Sequence, residues 1–331
     1  MFQYCVCHLV FMPLYEYFFA ISNTISKSKS LVFQLNESFR YCPQLPKVGE
    51  TIHGTEFKTA FGGKGANQCV AAAKLGGSTS FVGRVGDDIW GKQYIENFKK
   101  LNVDSTFVNM TPNVSTGIAQ INVSESGDNQ IVIVAGANNY LNKIDVEKAK
   151  EIIENAAVVI CQLETSQEVA IRTLELCKGV TILNAAPACS YCDPKLFTLP
   201  TIFCVNECEA SICANTPVAS VEQMKVAIEV LLSKGCNMVI LTMGDKGCMI
   251  GSKSSPNPKH IPTKSVRCID STGAGDAFIG SLAYLIANRS NYSLEKCIEI
   301  ATFVASDSVT RLGTQTSFAG PEILEHIFQL K

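Results

Sequence analysis

The sequence predicts an α/β protein: a three-layer, doubly wound, mainly parallel sheet with helices on both faces, accompanied by a small separate β-sheet. Continuously apolar segments that alternate with helical segments indicate buried parallel strands. These segments are 157–163, 180–184, 201–205 and 238–242. Two further strands, over 116–123 and 130–134, are joined by a short polar turn, which is typical of a hairpin outside the main sheet.

The composition provides enough apolar material for a large core. The chain has 331 residues, of which 47% are hydrophobic and 18% charged, with a formal net charge of -2. There is no basic excess that would favour nucleic acid or a membrane surface as a partner. Fifteen cysteines are scattered among apolar residues, as free thiols are in a reducing compartment. We therefore expect a cytoplasmic protein that also enters the nucleus.

The N-terminal region differs from the rest of the chain. Residues 2–21 are apolar and aromatic, but they contain Pro13 and Glu16 and lack a basic start, so they fit a signal peptide or membrane helix poorly. We expect an atypical segment over 1–40 and one α/β domain over 41–331. Strands near 48–60 and 116–134 are expected to form the small sheet.

A first glycine-rich loop opens a predicted helix. Residues 61–68 read FGGKGANQ and lead into a helical stretch that ends near Gly76. Glycines at this density let the backbone approach a ligand closely, and Lys64 and Asn67 can reach polar groups there. Such turns are common, so this loop alone is weak support for a binding site.

A second glycine-rich loop, over residues 270–276, feeds directly into an apolar helix over 277–287. Free backbone N–H groups at a helix N-terminus favour an anion. An acid at this place, Asp276, has two interpretations: it caps the helix, or it acts as a catalytic base beside the anion site.

Polar residues follow the predicted strands at their carboxyl ends, where open α/β sheets bind ligands. They are Glu164, Asn206, Glu209, Thr242 and Gly244. The chain has no G-x-S-x-G motif and no dinucleotide fingerprint after its first strand, which disfavours hydrolase and hydride-transfer chemistry. Two glycine loops, a lysine and an acid favour phosphoryl transfer.

Residues 62–68 and 270–276 resemble the two signatures of the PfkB/ribokinase family of carbohydrate kinases, and the resemblance covers about residues 41–320. Within the family, 66–68 and 131–138 resemble members that phosphorylate ribose. The resemblance implies ATP-dependent conversion of D-ribose to D-ribose 5-phosphate, with Mg²⁺ and an activating K⁺. It also implies a homodimer that pairs through the lid sheets, and a lid that excludes water from the sugar.

The resemblance also implies roles for individual residues. Asp276 would be the base, and the anion hole would be the backbone N–H groups of Gly273, Ala274 and Gly275. The sugar would contact Gly62, Gly63, Lys64, Gly65, Ala66, Asn67, Glu164 and Asp276. The nucleotide would contact Asn206, Thr242, Met243, Gly244, Asp245, Lys246, Gly247, Thr263, Gly275, Asp276 and Thr302, and Glu209 would position Mg²⁺ through water. Potassium would be held by Asp270, Thr272, Ser308, Arg311, Gly313 and Ser317, with Arg311 acting through its carbonyl.

The match to the family breaks near the N-terminus. The family begins with a buried strand whose following turn carries a sugar-binding aspartate; here the strand is reduced to about 31–33, and Glu37 stands at the aspartate position. The longer side chain is expected to miss the sugar by about an ångström, which is costly.

Two interpretations of this break stay open. Residues 1–40 supply a substitute strand, or the chain has an alternative N-terminus, from splicing or a gene model, with weak activity. We favour the second. Two alternatives to a ribose kinase therefore remain: a folded relative with little or no kinase activity, and a kinase for another small sugar or nucleoside.

Overall fold

A computed structural model describes residues 27–31, 35–126 and 128–329. The strands are β1 (Lys27–Leu31), β2 (Leu35–Cys42), β3 (Glu56–Gly62), β4 (Ser78–Gly86), β5 (Val103–Thr111), β6 (Ile118–Ser124), β7 (Asn129–Val134), β8 (Val158–Gln162), β9 (Val180–Asn184), β10 (Ile202–Asn206), β11 (Met238–Thr242), β12 (Cys248–Ser252) and β13 (Ser255–Ile261). The helices are α1 (Lys64–Lys74), α2 (Ile89–Lys100), α3 (Lys143–Lys148), α4 (Lys150–Glu154), α5 (Gln167–Leu176), α6 (Lys195–Thr198), α7 (Glu207–Ala214), α8 (Val221–Ser233), α9 (Ala274–Asn288), α10 (Leu294–Ser308) and α11 (Glu322–Gln329).

The main sheet has the order β13-β12-β11-β10-β9-β8-β1-β4-β5, and its neighbours from β11 to β5 are all parallel. Alternate residues of β8 face opposite sides. Val158 and Ile160 pack with apolar residues of α9 and α10, whereas Val159 and Cys161 pack with those of α5 and α8. Helices therefore cover both faces, and the predicted three-layer α/β fold is confirmed.

The centre of the main sheet is occupied by β1, which pairs in parallel with β4 on one side and β8 on the other. Residues 27–31 thus supply the central strand. Residues 32–34, which hold most of the expected strand over 31–33, and the apolar stretch over 2–21 lie outside the described residues. In the part of the chain that is described, none of the helices combines the length and apolarity needed to span a bilayer.

The second sheet has the order β3-β2-β6-β7. The predicted hairpin over 116–134 is confirmed as the antiparallel pair β6 and β7, in which Ile118 lies opposite Val134. The strand expected near 48–60 begins only at Glu56, because the residues before it form a turn with Gly49 at a φ of 79°. The sequence analysis missed β2, whose polar residues hide any apolar alternation.

The helices that follow the two glycine-rich loops pack directly against each other at Gly280. A Cβ at this position of α9 would lie 2.4 Å from the backbone oxygen of Gln68 and 2.6 Å from the Cβ of Ala71, both on α1. Only a hydrogen atom fits there, so the two helix axes can approach closely. This contact sets the distance between the first turns of the two helices.

We expect the Gly280→Ala variant to lower the free energy of unfolding by about 1–3 kcal/mol, the usual cost of overpacking a close contact. The matched control is Gly275→Ala on the same helix, where a Cβ would meet nothing within 4 Å and alanine is the better helix former. Urea unfolding measures both variants. Equal stability of the two would contradict the close contact.

Candidate active site

Asp276 lies buried where α9 meets α1, at the carboxyl end of the main sheet. Its Oδ2 accepts a hydrogen bond from Nδ2 of Asn67 at 2.9 Å, and its Oδ1 accepts one from Nε2 of Gln68 at 2.9 Å. The N-cap of α9 is Gly273, at a φ of 79°. The interpretation of Asp276 as a helix cap is therefore wrong, because both of its oxygens are held by side-chain amides of the other helix.

The surroundings of Asp276 act in opposite directions on its proton affinity. Burial raises the pKa of Asp276, while the positive charge of Lys64 and the hydrogen bonds from Asn67 and Gln68 lower it, and the net change is upward. A carboxylate with raised proton affinity beside a cation can be ionised and still take a proton from a bound group.

Lys64 is the first residue of α1, directly after Gly63, which is at a φ of 89°. Its backbone N–H donates to Oε2 of Glu164 at 3.1 Å. Burial lowers the pKa of Lys64, but the charges of Asp276, Glu164 and Glu209 more than compensate, so the net change is upward. The ammonium therefore stays protonated among several carboxylates.

Two further carboxyl groups, Glu164 and Glu37, interact with Asp276 through their charges. Burial, partly offset by Lys64, raises the pKa of Glu164 to about 8. Burial and the negative charges of Asp276 and Asp270 raise the pKa of Glu37 to about 7. Both groups therefore exchange a proton near neutral pH in the unliganded protein.

The sequence left open whether Glu37 reaches the site, and the structure places it there. It extends from β2 across the last residue of β3, since a Cβ on Gly62 would lie 2.2 Å from its Oε1. Its other oxygen, Oε2, is buried without a hydrogen-bond partner among the described residues. A buried acceptor of this kind is suited to a ligand hydroxyl.

The loop before α9 offers backbone N–H groups, as expected. Gly273 needs its left-handed backbone, and a Cβ there would lie 2.5 Å from Cγ2 of Thr314. Among the described residues, the N–H groups of Gly273 and Gly275 have no acceptor, whereas that of Ala274 donates to the oxygen of Ser271 at 3.2 Å. Two of the three expected donors are thus free for an anion.

The residues expected at the nucleotide lie around the ends of β10 and β11. Asn206 caps α7: its Oδ1 accepts from the N–H of Glu209 at 2.8 Å, and Oε2 of Glu209 accepts from its N–H at 2.9 Å. Burial raises the pKa of Glu209. Thr242 ends β11 and donates to the oxygen of Val205 at 3.4 Å.

The turn after β11 contributes most of the remaining expected residues. Met243 is buried, and Asp245 and Lys246 lie exposed in a single 3₁₀ turn that starts at Gly244. Gly247 closes the turn at a φ of 88°, where a Cβ would meet the backbone oxygen of Ile261 at 2.2 Å. Position 247 of this turn therefore requires glycine.

Two expected threonines are engaged within the protein. Thr302 is buried on α10 and donates to the oxygen of Ile298 at 2.8 Å. Thr263 is hydrogen-bonded to Ser306 on the same helix. On the sugar side, Gly65 and Ala66 are buried in the first turn of α1.

The residues expected around a monovalent cation lie on two loops that Asp270 joins. Its oxygens accept from the N–H groups of Thr272 and Gly313, each at 2.9 Å. Burial pushes the pKa of Asp270 up, but these hydrogen bonds outweigh it, and the net change is downward. The guanidinium of Arg311 donates to the oxygen of Ser317 at 3.0 and 2.7 Å, so this arginine contributes no side-chain ligand.

The oxygen-rich donor set fits a hard cation. Carboxylate, hydroxyl and carbonyl oxygens are available on these two loops, and Ser308, which donates to the oxygen of Ala305 at 2.8 Å, lies at the end of α10. Oxygen ligands of this kind suit such ions. Among the described residues, no group of three or more His, Cys, Asp and Glu side chains could hold a metal.

The sequence analysis missed three side chains behind Asp276. Gln315 donates to Oδ1 of Asn67 at 3.1 Å and to the hydroxyl of Tyr94 at 3.2 Å. Tyr94 donates to the oxygen of Gly62 at 2.5 Å. Gln162, the last residue of β8, donates to Gln68. Buried glutamines give no sequence signal of their own, although Gln68 lies inside the first glycine-rich signature.

Comparison with known proteins agrees with this geometry. Residues 35–319 match the family described as pfkB family carbohydrate kinase. Mouse ribokinase is 47% identical over 278 residues, which cover 83% of this chain and 86% of the mouse protein. A deoxyribokinase of Salmonella typhi is 36% identical over 285 residues, 85% of this chain and 92% of that protein.

A solved structure gives the same result. The ribokinase of Arabidopsis thaliana, complexed with ribose and ATP, has a TM-score of 0.85 at 28% identity and covers 91% of this chain and 98% of that one. The family match spans well over half of the chain. The chain therefore belongs to the pfkB family of carbohydrate kinases, and it is a sugar kinase that transfers phosphate to an alcohol group.

Proposed function

We propose that this chain phosphorylates D-ribose to D-ribose 5-phosphate at the expense of ATP, with Asp276 as the general base. One observation carries the proposal: a buried carboxylate lies at the start of α9, beside the free N–H groups of Gly273 and Gly275. The similarity to mouse ribokinase supports ribose as the sugar.

In the proposed reaction, an oxygen of Asp276 takes the proton of the sugar's primary hydroxyl. The hydroxyl oxygen forms a bond to the γ-phosphorus as the bond from phosphorus to the departing ADP oxygen breaks. The N–H groups of Gly273 and Gly275 stabilise charge on the phosphoryl oxygens, and such donors are each worth about 10²–10³ in rate. Positioning and electrostatics supply most of the catalysis in reactions of this class.

The sugar would lie between the first turn of α1 and β2. Asn67 and the backbone of the glycine loop would bind its hydroxyls, and the carboxylates of Glu37 and Glu164 would accept hydrogen bonds from them. The unpartnered Oε2 of Glu37 supports this arrangement, because a buried acceptor without a donor is costly unless a ligand supplies one.

The nucleotide would lie along Asn206, Thr242 and the turn at Gly244. Its nucleobase would lie near Thr263, Thr302 and Gly247. Mg²⁺ would be held near Glu209, where it would neutralise phosphate charge. A potassium ion on the two loops joined by Asp270 would add positive charge behind the anion site. In each case the residues present have the oxygen chemistry that the ion requires.

A second copy of the chain is the partner that we propose for the small sheet. Strand β7 lies at the edge of this sheet and pairs on one side only, with β6. The apolar side chains of β7 are exposed. The exposed fractions are 52% for Ile131, 62% for Val132, 55% for Ile133 and 50% for Val134. An apolar edge strand exposes unpaired backbone N–H and C=O groups, and it therefore tends to pair with a strand of another chain.

The similarity to a deoxyribokinase keeps 2-deoxy-D-ribose as a second candidate sugar. The two sugars differ by one hydroxyl, so a site that binds this hydroxyl would reject the deoxy sugar strongly. Comparing kcat/KM for the two sugars decides between them. A folded chain with no turnover on either sugar would instead support the inactive alternative.

We expect the Asp276→Asn variant to lose about 10²–10⁴-fold in kcat, because general-base catalysis contributes on this scale. The assay is ADP release with ATP, Mg²⁺ and K⁺, in the presence and absence of D-ribose. ATP binding, measured by calorimetry, should persist in the variant. Ribose-dependent turnover that survives in the variant would refute the role of Asp276.

We expect the Glu37→Gln variant to weaken ribose binding while stabilising the unliganded protein at pH 8.5. Only the ionised Glu37 accepts hydroxyl hydrogen bonds at both oxygens, so ribose binding by the unmodified protein should tighten as pH rises through about 7. In the variant, the affinity for ribose should no longer change with the titration of Glu37, while the pH dependence due to Glu164 should remain. Calorimetry at pH 6 and 8.5 measures it.

The stability effect has the opposite sign. Because the pKa of Glu37 is raised on folding from 4.5 to about 7, the folded protein loses stability as pH rises through this range. A shift of this size corresponds to at most about 3 kcal/mol at pH 8.5, which the variant should regain. Glu229→Gln, at an exposed position of α8, is the matched control. A variant that is no more stable at pH 8.5 would contradict the burial of Glu37.

We expect the double variant Val132→Glu with Val134→Glu to be monomeric, because the two copies would bring like charges together at the paired strands. Sedimentation velocity measures the assembly state. Ile212→Glu, at another exposed apolar position with an exposed fraction of 51%, is the control and should not change it. A monomeric unmodified chain, or a dimer that the double variant leaves intact, would refute this interface.

A further inference from the structure

We infer that Gln315 and Gln162 are positioning residues for the proton acceptor Asp276: each one orients a neighbouring side-chain amide so that its N–H group faces the carboxylate. The inference rests on the function proposed above, since it concerns the same carboxylate. Among the described residues neither glutamine is hydrogen-bonded to Asp276, and each acts through one intermediate residue.

The first arm runs through Asn67. Nε2 of Gln315 donates to Oδ1 of Asn67 at 3.1 Å, and Nδ2 of Asn67 donates to Asp276 at 2.9 Å. A donor at the amide oxygen leaves only the amide nitrogen for the carboxylate. Gln315 is itself fixed, because Nδ2 of Asn97 donates to its Oε1 at 3.1 Å and Nζ of Lys74 donates to its backbone oxygen at 2.7 Å.

The second arm runs through Gln68 and reaches the other carboxylate oxygen. Nε2 of Gln162 donates to Oε1 of Gln68, and Nε2 of Gln68 donates to Oδ1 of Asp276 at 2.9 Å. Gln68 is fully buried and Gln162 is 2% exposed, so bulk water does not compete for these amides. Gln162 ends a central strand, which gives this arm a rigid support.

Orientation matters because an amide can present either its N–H group or its carbonyl oxygen. Without the outer donor, Asn67 or Gln68 can turn its oxygen toward Asp276, and the two negative ends repel each other. The carboxylate would then rotate away from the hydroxyl that it must deprotonate, and its pKa would rise further. In a buried site of low polarity such a repulsion is strong, because bulk water does not screen it. Oε1 of Gln162 is itself buried without a hydrogen-bond partner among the described residues, so the second arm depends on the bond that its Nε2 donates to Gln68.

The variants Gln315→Met and Gln162→Met remove each outer donor with little change in volume. We expect each to lower kcat with D-ribose by about ten- to a hundredfold, as small misplacements of a reacting group do, and to leave the KM for ATP unchanged. The acidic limb of the kcat/KM profile should move upward by about one pH unit, because Asp276 loses a hydrogen bond that favours its charged form.

The control for the chemical change is Gln223→Met on α8, where the glutamine Oε1 accepts from the N–H of Ala219 at 2.7 Å. It loses a glutamine hydrogen bond on another element, one that the side chain accepts rather than donates, and should move neither kcat nor the pH profile. The charged groups around Asp276 are the same in every variant, so their effects cancel in the comparison. These groups are Lys64, Glu37, Glu164 and Glu209.

A second readout needs no activity. Titration of ¹³C-labelled aspartate carboxyl groups by NMR, with Asp276→Asn to assign the signal, reports the proton affinity of Asp276 in the unliganded protein. An upward shift in the variants supports the inference even if the unmodified chain fails to phosphorylate ribose, in which case only the proposed function falls. An active enzyme whose pH limb and carboxyl titration stay unchanged in the variants overturns it. Should one variant fail to fold, the variant of the other arm decides the outcome.

Discussion

The contact between α1 and α9 governs this structure, because it buries a carboxylate. A lone ionised carboxyl group in a protein interior costs several kcal/mol, so Asp276 must be compensated from α1. Asn67 and Gln68 donate to its two oxygens at 2.9 Å, and Lys64 supplies a positive charge. All three residues lie in the first turns of α1. They can reach Asp276 only if α1 and α9 pack closely, and Gly280 permits this close packing.

The fold was largely predictable from the sequence, because buried parallel strands carry a strong apolar signal. The four segments from 157 to 242 and the hairpin of the small sheet were found within one or two residues. β2 was missed because its sequence, LNESFRYC, is polar at positions that the fold covers with other parts of the protein. Its strand character comes from pairing with β3 and β6, and tertiary context of this kind is not visible in a short polar segment.

The site was predictable only in part. The two glycine-rich loops identified the first turns of α1 and α9, because several glycines close together are uncommon in ordinary helices and strands. The outer glutamines at positions 162 and 315 lie 153 residues apart in the chain, and only folding brings them behind the same carboxylate. A glutamine that orients an amide looks identical in sequence to one on the surface, so sequence reasoning had no means to choose it.

Glu37 shows how a departure from a family pattern can be accommodated by local geometry. Its side chain starts from β2 and lies over the bare α-carbon of Gly62, where any Cβ would collide with it. The Glu37 carboxylate therefore has space because its neighbour is a glycine. Burial and the negative charges of Asp276 and Asp270 raise its pKa to about 7, so a ligand hydroxyl that donates to this group would favour loss of its proton near neutral pH. The same burial that destabilises the ionised protein at high pH thus prepares a strong hydrogen-bond acceptor for the ligand.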